Sequence, residues 1–161
     1  MYNFPYLKDS VFLKKFDKDK IKEQFIKVNV LDWKNENPIY NLSGRILSGN
    51  INLDGSSGMR RTANISLIAN EFDNDLTNIN SIISINKKIE VLIGFTNHFE
   101  EYSEFPVLWF PQGIFLINAA SISYGNDGVT ISLTLHDKMA LLNGECGGVL
   151  PATVNFHEIE E

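Results

Sequence analysis

The stretch "LDGSSGMRRTANISL", residues 53–67, places two adjacent arginines, Arg60 and Arg61, between a glycine–serine turn and an alternating apolar run. A phosphate-binding loop of the G-x-x-x-x-G-K-[ST] type needs a lysine after its second glycine and a helix behind it. Here no lysine follows the second glycine, and the next residues alternate as a strand does. Two interpretations stay open: a turn with two surface arginines, or an arginine pair that contacts carboxylates of an assembly partner.

Side chains that bind metals or act as nucleophiles are few and far apart in the sequence. The three histidines, His98, His136 and His157, have no partner at metal-ligand spacing, and the H-E-x-x-H pattern is absent. The single cysteine, Cys146, permits neither an intrachain disulfide nor a cysteine-built metal site. We therefore expect no metal and no cofactor.

Paired carboxylates, which glycoside hydrolysis requires, are also not indicated. Glu101, Glu104 and Asp137 could face one another across a cleft, but any acidic domain contains as many carboxylates. The G-x-S-x-G pattern of serine hydrolases is absent as well. The sequence predicts a protein that is not an enzyme.

Aromatic side chains are concentrated around "EFPVLWFPQGIF", residues 104–115. Tyr102, Trp109 and Phe110 could form a platform that stacks on sugars. The favoured alternative is that Trp109 and Phe110 lie on opposite faces of a sheet, one in the core and one at a protein interface.

Composition is that of a folded domain with an acidic surface. The chain has 161 residues, 43% of them hydrophobic, and a net charge of −6, which disfavours broad nucleic-acid binding. No apolar run is long enough to span a membrane, and the first ten residues lack the pattern of a signal peptide. We expect a protein made in a cytoplasm.

Most of the chain after residue 25 has the patterns of strands. Apolar residues alternate in 26–33, 61–69 and 129–137, and 87–95 is strongly strand-like, while 39–53 reads as a long strand broken or bulged at Gly44 and Gly49. Residues 107–124 read as two strand pieces split near Pro111, and "GNDG" at 125–128 is a hairpin turn. Helical spacing appears in 10–25, in 70–84 and briefly in 138–144. These elements predict a mainly antiparallel β-barrel or β-sandwich with one or two short helices.

Three stretches in this order resemble the tail-tube-like β-barrel domain of phage baseplate hub and related tail proteins. They are "SGRILSGNINLDGSSGMRRTANISLIA", "KKIEVLIGF" and "LWFPQGIFLINAASISYGNDGVTISLTLHDKMALLNG". The motifs within them are Arg60-Arg61-Thr62, then Trp109 to Phe115, then Asp137-Lys138, and the resemblance covers about residues 40–144.

The resemblance implies a β-barrel or split barrel of the tail-tube type at 26–144. An N-terminal arm or short helix at 1–25 and a C-terminal arm at 145–161 flank it, and each arm would dock on a neighbour. It also implies a structural role in the virion, as a baseplate hub or tube-end protein that forms a ring around the tail channel. Its partners would be copies of itself and the tube, hub or spike proteins, with DNA only as passing cargo and no membrane. The expected assembly residues are Arg60, Arg61, Trp109, Phe110, Asp137 and Lys138. The alternative function is a carbohydrate-binding β-sandwich that attaches to a cell surface.

Overall fold

The computed structural model describes residues 4–18, 23–58, 60–69, 81–84, 87–126, 128–142 and 144. Its helices are α1 (Ser10–Lys18) and α2 (Met139–Leu142), with single 3₁₀ turns at Pro5–Lys8 and Ser43–Arg45. Its strands are β1 (Gln24–Leu31), β2 (Pro38–Asn41), β3 (Ile46–Leu53), β4 (Arg61–Ile68), β5 (Lys88–Thr96), β6 (Val107–Gly125) and β7 (Gly128–Asp137).

All seven strands form one antiparallel sheet in the order β2-β1-β5-β6-β7-β4-β3. The prediction of a mainly β, antiparallel fold with two short helices is confirmed. The centre of the sheet comes from β5, β6 and β7, whereas the two hairpins β1–β2 and β3–β4 lie on either side. The strands at the two ends of the sheet, β2 and β3, are nevertheless consecutive in the chain.

The connection between β2 and β3 requires the sheet to curl. In a flat sheet seven strands wide the outer strands would lie about 29 Å apart. The link between them has only residues 42–45, so Asn41 and Ile46 can be separated by at most about 19 Å. Arg45 in this link donates from Nε to the carbonyl oxygen of Ile68, at the end of β4, over 3.0 Å. The link is thereby held against the opposite end of the sheet.

The sheet is strongly curved but not closed. Within the described residues β2 and β3 do not pair with each other, so the barrel form of the predicted β-barrel or split barrel is not confirmed. All pairs in the sheet are antiparallel, so the first and seventh strands of the order, β2 and β3, run in the same direction. Parallel partners need a crossover of about a dozen residues or more, and the link between β2 and β3 has only residues 42–45. The observed architecture is an open, curled antiparallel sheet.

The main core fills the concave side of this sheet. Alternation in β4 and β7 places Ala63, Ile65 and Leu67 inward beside Ile131, Leu133 and Leu135, as predicted, and all six are buried. Leu42 from the link is fully buried in the same cluster, together with residues of β1, β5 and β6. Burial of each such leucine or isoleucine stabilises the fold by about 1.5–3 kcal/mol.

A second core forms where the N-terminal residues pack against the end of β5 and the start of β6. Phe12 and Phe16, four residues apart on α1, are both buried against β5 and β6. We call this the aromatic cluster; its buried members are Tyr6, Phe12, Phe16 and Leu108, and Phe4, Phe95, Phe99, Tyr102, Phe105 and Phe110 pack on them. For residues 1–25 the sequence predicts either an arm or a short helix, and the structure contains the short helix α1. That helix packs on its own chain, which argues against an arm that docks on a neighbour.

Residues 107–125 form one strand of 19 residues, so the predicted split near Pro111 is wrong. Val91 pairs with Gly113 and Leu92 pairs with Pro111, which leaves Gln112 as the extra residue of a β-bulge. A bulge tolerates proline because the ladder is already interrupted there.

Two other predicted elements differ from expectation, and a third agrees with it. Gly44 lies in the 3₁₀ turn that separates β2 from β3, as expected, but Gly49 pairs regularly with Ile65, and the register shift falls at Leu47 instead. Most of the predicted helix at 70–84 lies outside the described residues, and its last four residues are not helical, with bends at 81–83. The helical turn predicted at 138–144 is confirmed as α2, with Gly144 at a positive φ of 74°.

Candidate assembly surface

Four of the six predicted assembly residues lie together in one shallow groove. Arg60 and Arg61 come from the start of β4, and Asp137 and Lys138 come from the end of β7. The groove has a volume of about 490 Å³, and we call it the basic groove; its lining residues are Arg60, Arg61, Gly113, Ile114, Asp137, Lys138, Met139 and Leu142. The pairing of β4 with β7 explains this meeting, because it brings residue 61 beside residue 137.

Arg61 connects three strands at this groove. Its backbone N–H donates to Asp137 Oδ2 over 3.0 Å, and its guanidinium Nη1 donates to the carbonyl oxygen of Gln112 over 2.8 Å. Gln112 is the bulge residue of β6, whose carbonyl is turned out of the ladder. The guanidinium is therefore held across the bulge by a neutral acceptor, and its charge is not neutralised by that bond.

Both carboxylate oxygens of Asp137 accept hydrogen bonds from backbone N–H groups. Oδ2 accepts from Arg61, and Oδ1 accepts from the N–H of Met139, the first residue of α2, over 2.9 Å. A carboxylate that accepts from the residue two positions later forms an Asx-turn, which starts the helical turn that follows. Asp137 thus positions both the β4 end and α2 along the wall of the basic groove.

Lys138 shares one carboxylate with a second lysine. Glu36 Oε1 lies 2.6 Å from Lys138 Nζ and 2.7 Å from Lys88 Nζ, and the Lys88 ammonium also lies 5.0 Å from the centre of the Trp33 ring. Hydrogen bonds from Lys138 and then from Lys88 hold the pKa of the Glu36 carboxyl below its usual value. Glu36 has a φ of 57°, which is uncommon outside glycine and reflects the tight β1–β2 turn.

Gly113 forms the floor of the basic groove at the bulge. Its φ is +147°, and a Cβ built there would lie 3.1 Å from Arg61 Nη1. A side chain at this position would be strained and would press on the arginine. The positive φ and the nearby arginine therefore explain why residue 113 is a glycine.

Trp109 and Phe110 lie away from the basic groove, on opposite faces of β6. Phe110 packs in the aromatic cluster, with its ring centre 5.1 Å from that of Phe16. Trp109 lies on the other face over Gly94, where an added Cβ would come within 2.8 Å of the indole, and Lys27 Nζ lies 5.6 Å from its ring centre. The predicted division across the sheet is confirmed, but the two aromatics belong to a different region from the four charged residues.

The aromatic residues do not form an open platform. Tyr102 is half-buried, and its ring meets those of Phe12 and Tyr6 edge-on, at 5.0 and 5.9 Å. The Tyr6 hydroxyl accepts from the backbone N–H of Trp109 over 2.7 Å and donates to the Trp109 carbonyl oxygen over 3.0 Å. Tyr102 and Phe110 pack in the aromatic cluster whereas Trp109 lies on the opposite face of β6, so the three rings do not form one platform.

The two ends of the sheet carry exposed apolar side chains. On β3, Leu47 is 54% exposed and Leu53 is 66% exposed; on β2, Ile39 is 49% exposed and Tyr40 is 38% exposed. Neither strand contains a charged residue. Sequence reasoning found these strands but not that they lie at the ends of the sheet, because strand order depends on long-range pairing.

Features of other function classes are scarce in the described part of the chain. It contains no group of three or more histidine, cysteine, aspartate or glutamate side chains arranged to hold a metal ion. His98 is exposed in its loop and His136 is half-buried at the end of β7, whereas Cys146 and His157 lie outside the described residues. None of the described helices combines the length and the apolar character needed to cross a membrane.

Sequence reasoning missed two residues that organise these regions. Glu36 has no local sequence pattern that marks it, and only its contacts with Lys88 and Lys138 show its role. Tyr6 gave no signal beyond its aromatic type. Comparison with known proteins adds no assignment: no family model matches the chain, and neither a curated protein nor a solved structure matches it.

Proposed function

We propose that this protein is a structural component of the tail of a bacteriophage or phage-like particle, a baseplate hub or tube-end protein that forms a ring continuing the tail channel. The observation that carries the proposal is the pair of exposed, uncharged strands at the two ends of the sheet. The resemblance in strand order and motifs described above supplies the position in a tail.

An open sheet end is a risk for a protein that acts alone. Its free backbone N–H and C=O groups can pair with any other chain, so monomeric proteins protect such strands with charges, proline or a covering element. β3 has eight residues without a charge or a proline, and Leu47 and Leu53 are more than half exposed. Only Pro38, at the start of β2, is a protecting residue at the other end. Both ends are thus suited to be covered in the functional assembly.

The two ends of the sheet are different strands, β2 and β3, and this difference suits a ring better than a two-fold dimer. If β3 of one copy meets β2 of the next, each copy uses one end of its sheet on each side, and the contact repeats from copy to copy. Such a head-to-tail contact closes into a ring when the rotation between copies divides the circle. Interfaces of this kind continue the sheet from copy to copy by strand addition.

The location is tested by immunogold electron microscopy of particles from the source culture, with antibody against this chain. Gold at one end of a tail is the expected result. Label on no particle, with the chain free in the lysate or on cell walls, would contradict the tail assignment and favour the carbohydrate-binding alternative.

The ring is tested separately by mass photometry and negative-stain microscopy of the purified chain. Leu53→Lys places a charge on the exposed end strand and is expected to convert rings to monomers. Val11→Lys is the matched control, because Val11 is 67% exposed on α1, comparable to the 66% of Leu53, and lies away from both sheet ends. A monomeric wild-type chain, or rings that survive Leu53→Lys, would contradict the proposed contact.

A further inference from the structure

The basic groove concentrates positive charge in an acidic protein. Arg60, Arg61 and Lys138 line it, and Asp137 is the carboxylate among its lining residues. Basic side chains therefore outnumber acidic ones by three to one among the lining residues, in a chain whose net charge is −6. This excess indicates an acidic ligand.

The contacts within the groove leave the positive charge largely uncompensated. Glu36 is one carboxylate shared by two ammonium groups. Arg61 donates to a neutral carbonyl, and both oxygens of Asp137 accept from backbone N–H groups instead of from a cation. Within the described residues the exposed guanidinium of Arg60 makes no ion pair, so it is available to a carboxylate from outside.

The groove also offers an apolar surface next to the charges. Ile114, Met139 and Leu142 line it, and Leu142 is 66% exposed on the short helix α2. A ligand that fits must therefore combine carboxylates with one or two large apolar side chains. A simple anion such as phosphate would leave the apolar part of the groove uncovered.

We infer that the basic groove is the docking site of residues 154–161 of this chain, "VNFHEIEE". This segment, which lies outside the described residues, carries Glu158, Glu160 and Glu161 beside the apolar Phe156 and Ile159. No lysine or arginine occurs anywhere in residues 145–161. Its charge and its apolar residues are both complementary to the groove.

The position of the segment in the chain favours this contact. α2, which lines the groove, ends at Leu142, and residues 145–153 connect it to the acidic segment. Nine residues can reach up to about 30 Å, and a tether of that length gives an effective concentration in the millimolar range. Exposed ion pairs that are weak one by one can therefore hold the segment in place. This inference rests on the groove alone and does not depend on the tail assignment.

The test is zero-length carbodiimide cross-linking of the full-length chain, with mass spectrometry of the cross-linked peptides. The reagent joins a lysine amine to a carboxylate in direct contact, so the expected products link Lys138 to Glu158, Glu160 or Glu161. Lys14, exposed on α1, is the control lysine and is expected to give no such product. A mixture of ¹⁴N- and ¹⁵N-labelled chain shows whether the segment comes from the same copy or an adjacent one, and either result supports the docking site.

Two charge-reversal variants distinguish a specific contact between the groove and the segment from cross-linking by random collision. Arg60→Glu leaves Lys138 in place but repels the segment, so the yield of Lys138 products is expected to fall by about threefold or more. Lys14→Glu makes the same charge change on α1 and is expected to leave the yield unchanged. The inference is overturned if Lys138 gives no product with the segment, if Lys14 and Lys138 react alike, or if Arg60→Glu has no effect.

Discussion

The backbone N–H of Arg61 donates to Asp137 Oδ2 over 3.0 Å, although the two residues lie 76 positions apart in the chain. The bond continues the β4–β7 ladder one step past its last backbone pair, Thr62 with His136. A side chain thus replaces the backbone acceptor at the point where β7 ends and α2 begins. The geometry of the basic groove depends on this replacement.

Removing the Asp137 carboxylate is expected to destabilise the protein. Asp137→Ala leaves the N–H groups of Arg61 and Met139 without their acceptor, which costs about 1–3 kcal/mol in the free energy of unfolding. Asp137→Asn keeps one acceptor oxygen and is expected to cost less. Urea denaturation measures both values, with Asp17→Ala on the exposed face of α1 as the control. Equal stability of the Asp137→Ala and Asp17→Ala variants would show that the bonds contribute nothing.

A side chain at Gly113 is expected to destabilise the bulge in two ways. Gly113→Ala strains a φ of +147° and brings a Cβ within 3.1 Å of Arg61 Nη1, so a loss of about 1–3 kcal/mol is expected. Gly128→Ala, at φ +120° with open space around it, carries strain alone, and Gly44→Ala carries neither effect. Thermal unfolding should rank the variants with Gly113→Ala least stable and Gly44→Ala nearest to wild type. A Gly128→Ala variant less stable than the Gly113→Ala variant would exclude a contribution from the arginine contact.

The Tyr6 hydroxyl is expected to hold the N-terminal segment on β6. Tyr6→Phe removes its two hydrogen bonds with the Trp109 backbone without emptying the aromatic cluster, and should lower the free energy of unfolding by about 1–2 kcal/mol. Tyr124→Phe is the control, because Tyr124 is 75% exposed near the tip of the β6–β7 hairpin. Chemical denaturation followed by tryptophan fluorescence measures the difference. A Tyr6→Phe variant as stable as Tyr124→Phe would mean that water replaces the hydroxyl without loss.

The Glu36 ion pairs are expected to contribute stability only above acidic pH. The folded protein holds the pKa of Glu36 below its ordinary value of 4.5, so the folded state binds the proton less readily than the unfolded state. The contribution is therefore present above about pH 4.5 and is lost as the pH falls through the lowered pKa of the folded state. Glu36→Gln should remove this part of the acid destabilisation, which urea midpoints at pH 7 and pH 3 would show. Glu100→Gln, at an exposed loop position, should retain the wild-type difference.

Local patterns in the sequence predicted much of the fold. Alternation in β4 and β7 identified the buried Ile65, Leu67, Ile131 and Leu133, because one face of each strand lies against a core. The hairpin turn at 125–128 was also identified, because its residues accept the positive φ found at Gly128. The single strand through Pro111 was missed, since a bulge depends on the partner strand and not on the proline itself.

The candidate site was predicted only in part. Motif order grouped Arg60 and Arg61 with Asp137 and Lys138, and the β4–β7 pairing does bring them together. Trp109 and Phe110 were placed with them, but their positions on β6 orient them elsewhere. Glu36 was not foreseen, since no local pattern indicates which lysines a turn carboxylate will meet.

The order of the strands has a consequence for how the chain folds during synthesis. The hairpins β1–β2 and β3–β4 leave the ribosome first, yet each packs against a strand from the second half of the chain: β1 against β5, and β4 against β7. The main core is therefore incomplete until residue 137 has emerged, so folding depends on contacts between distant residues and is slow for a domain of this size. β7, the last strand to be made, joins the strands β2-β1-β5-β6 to the β3–β4 hairpin.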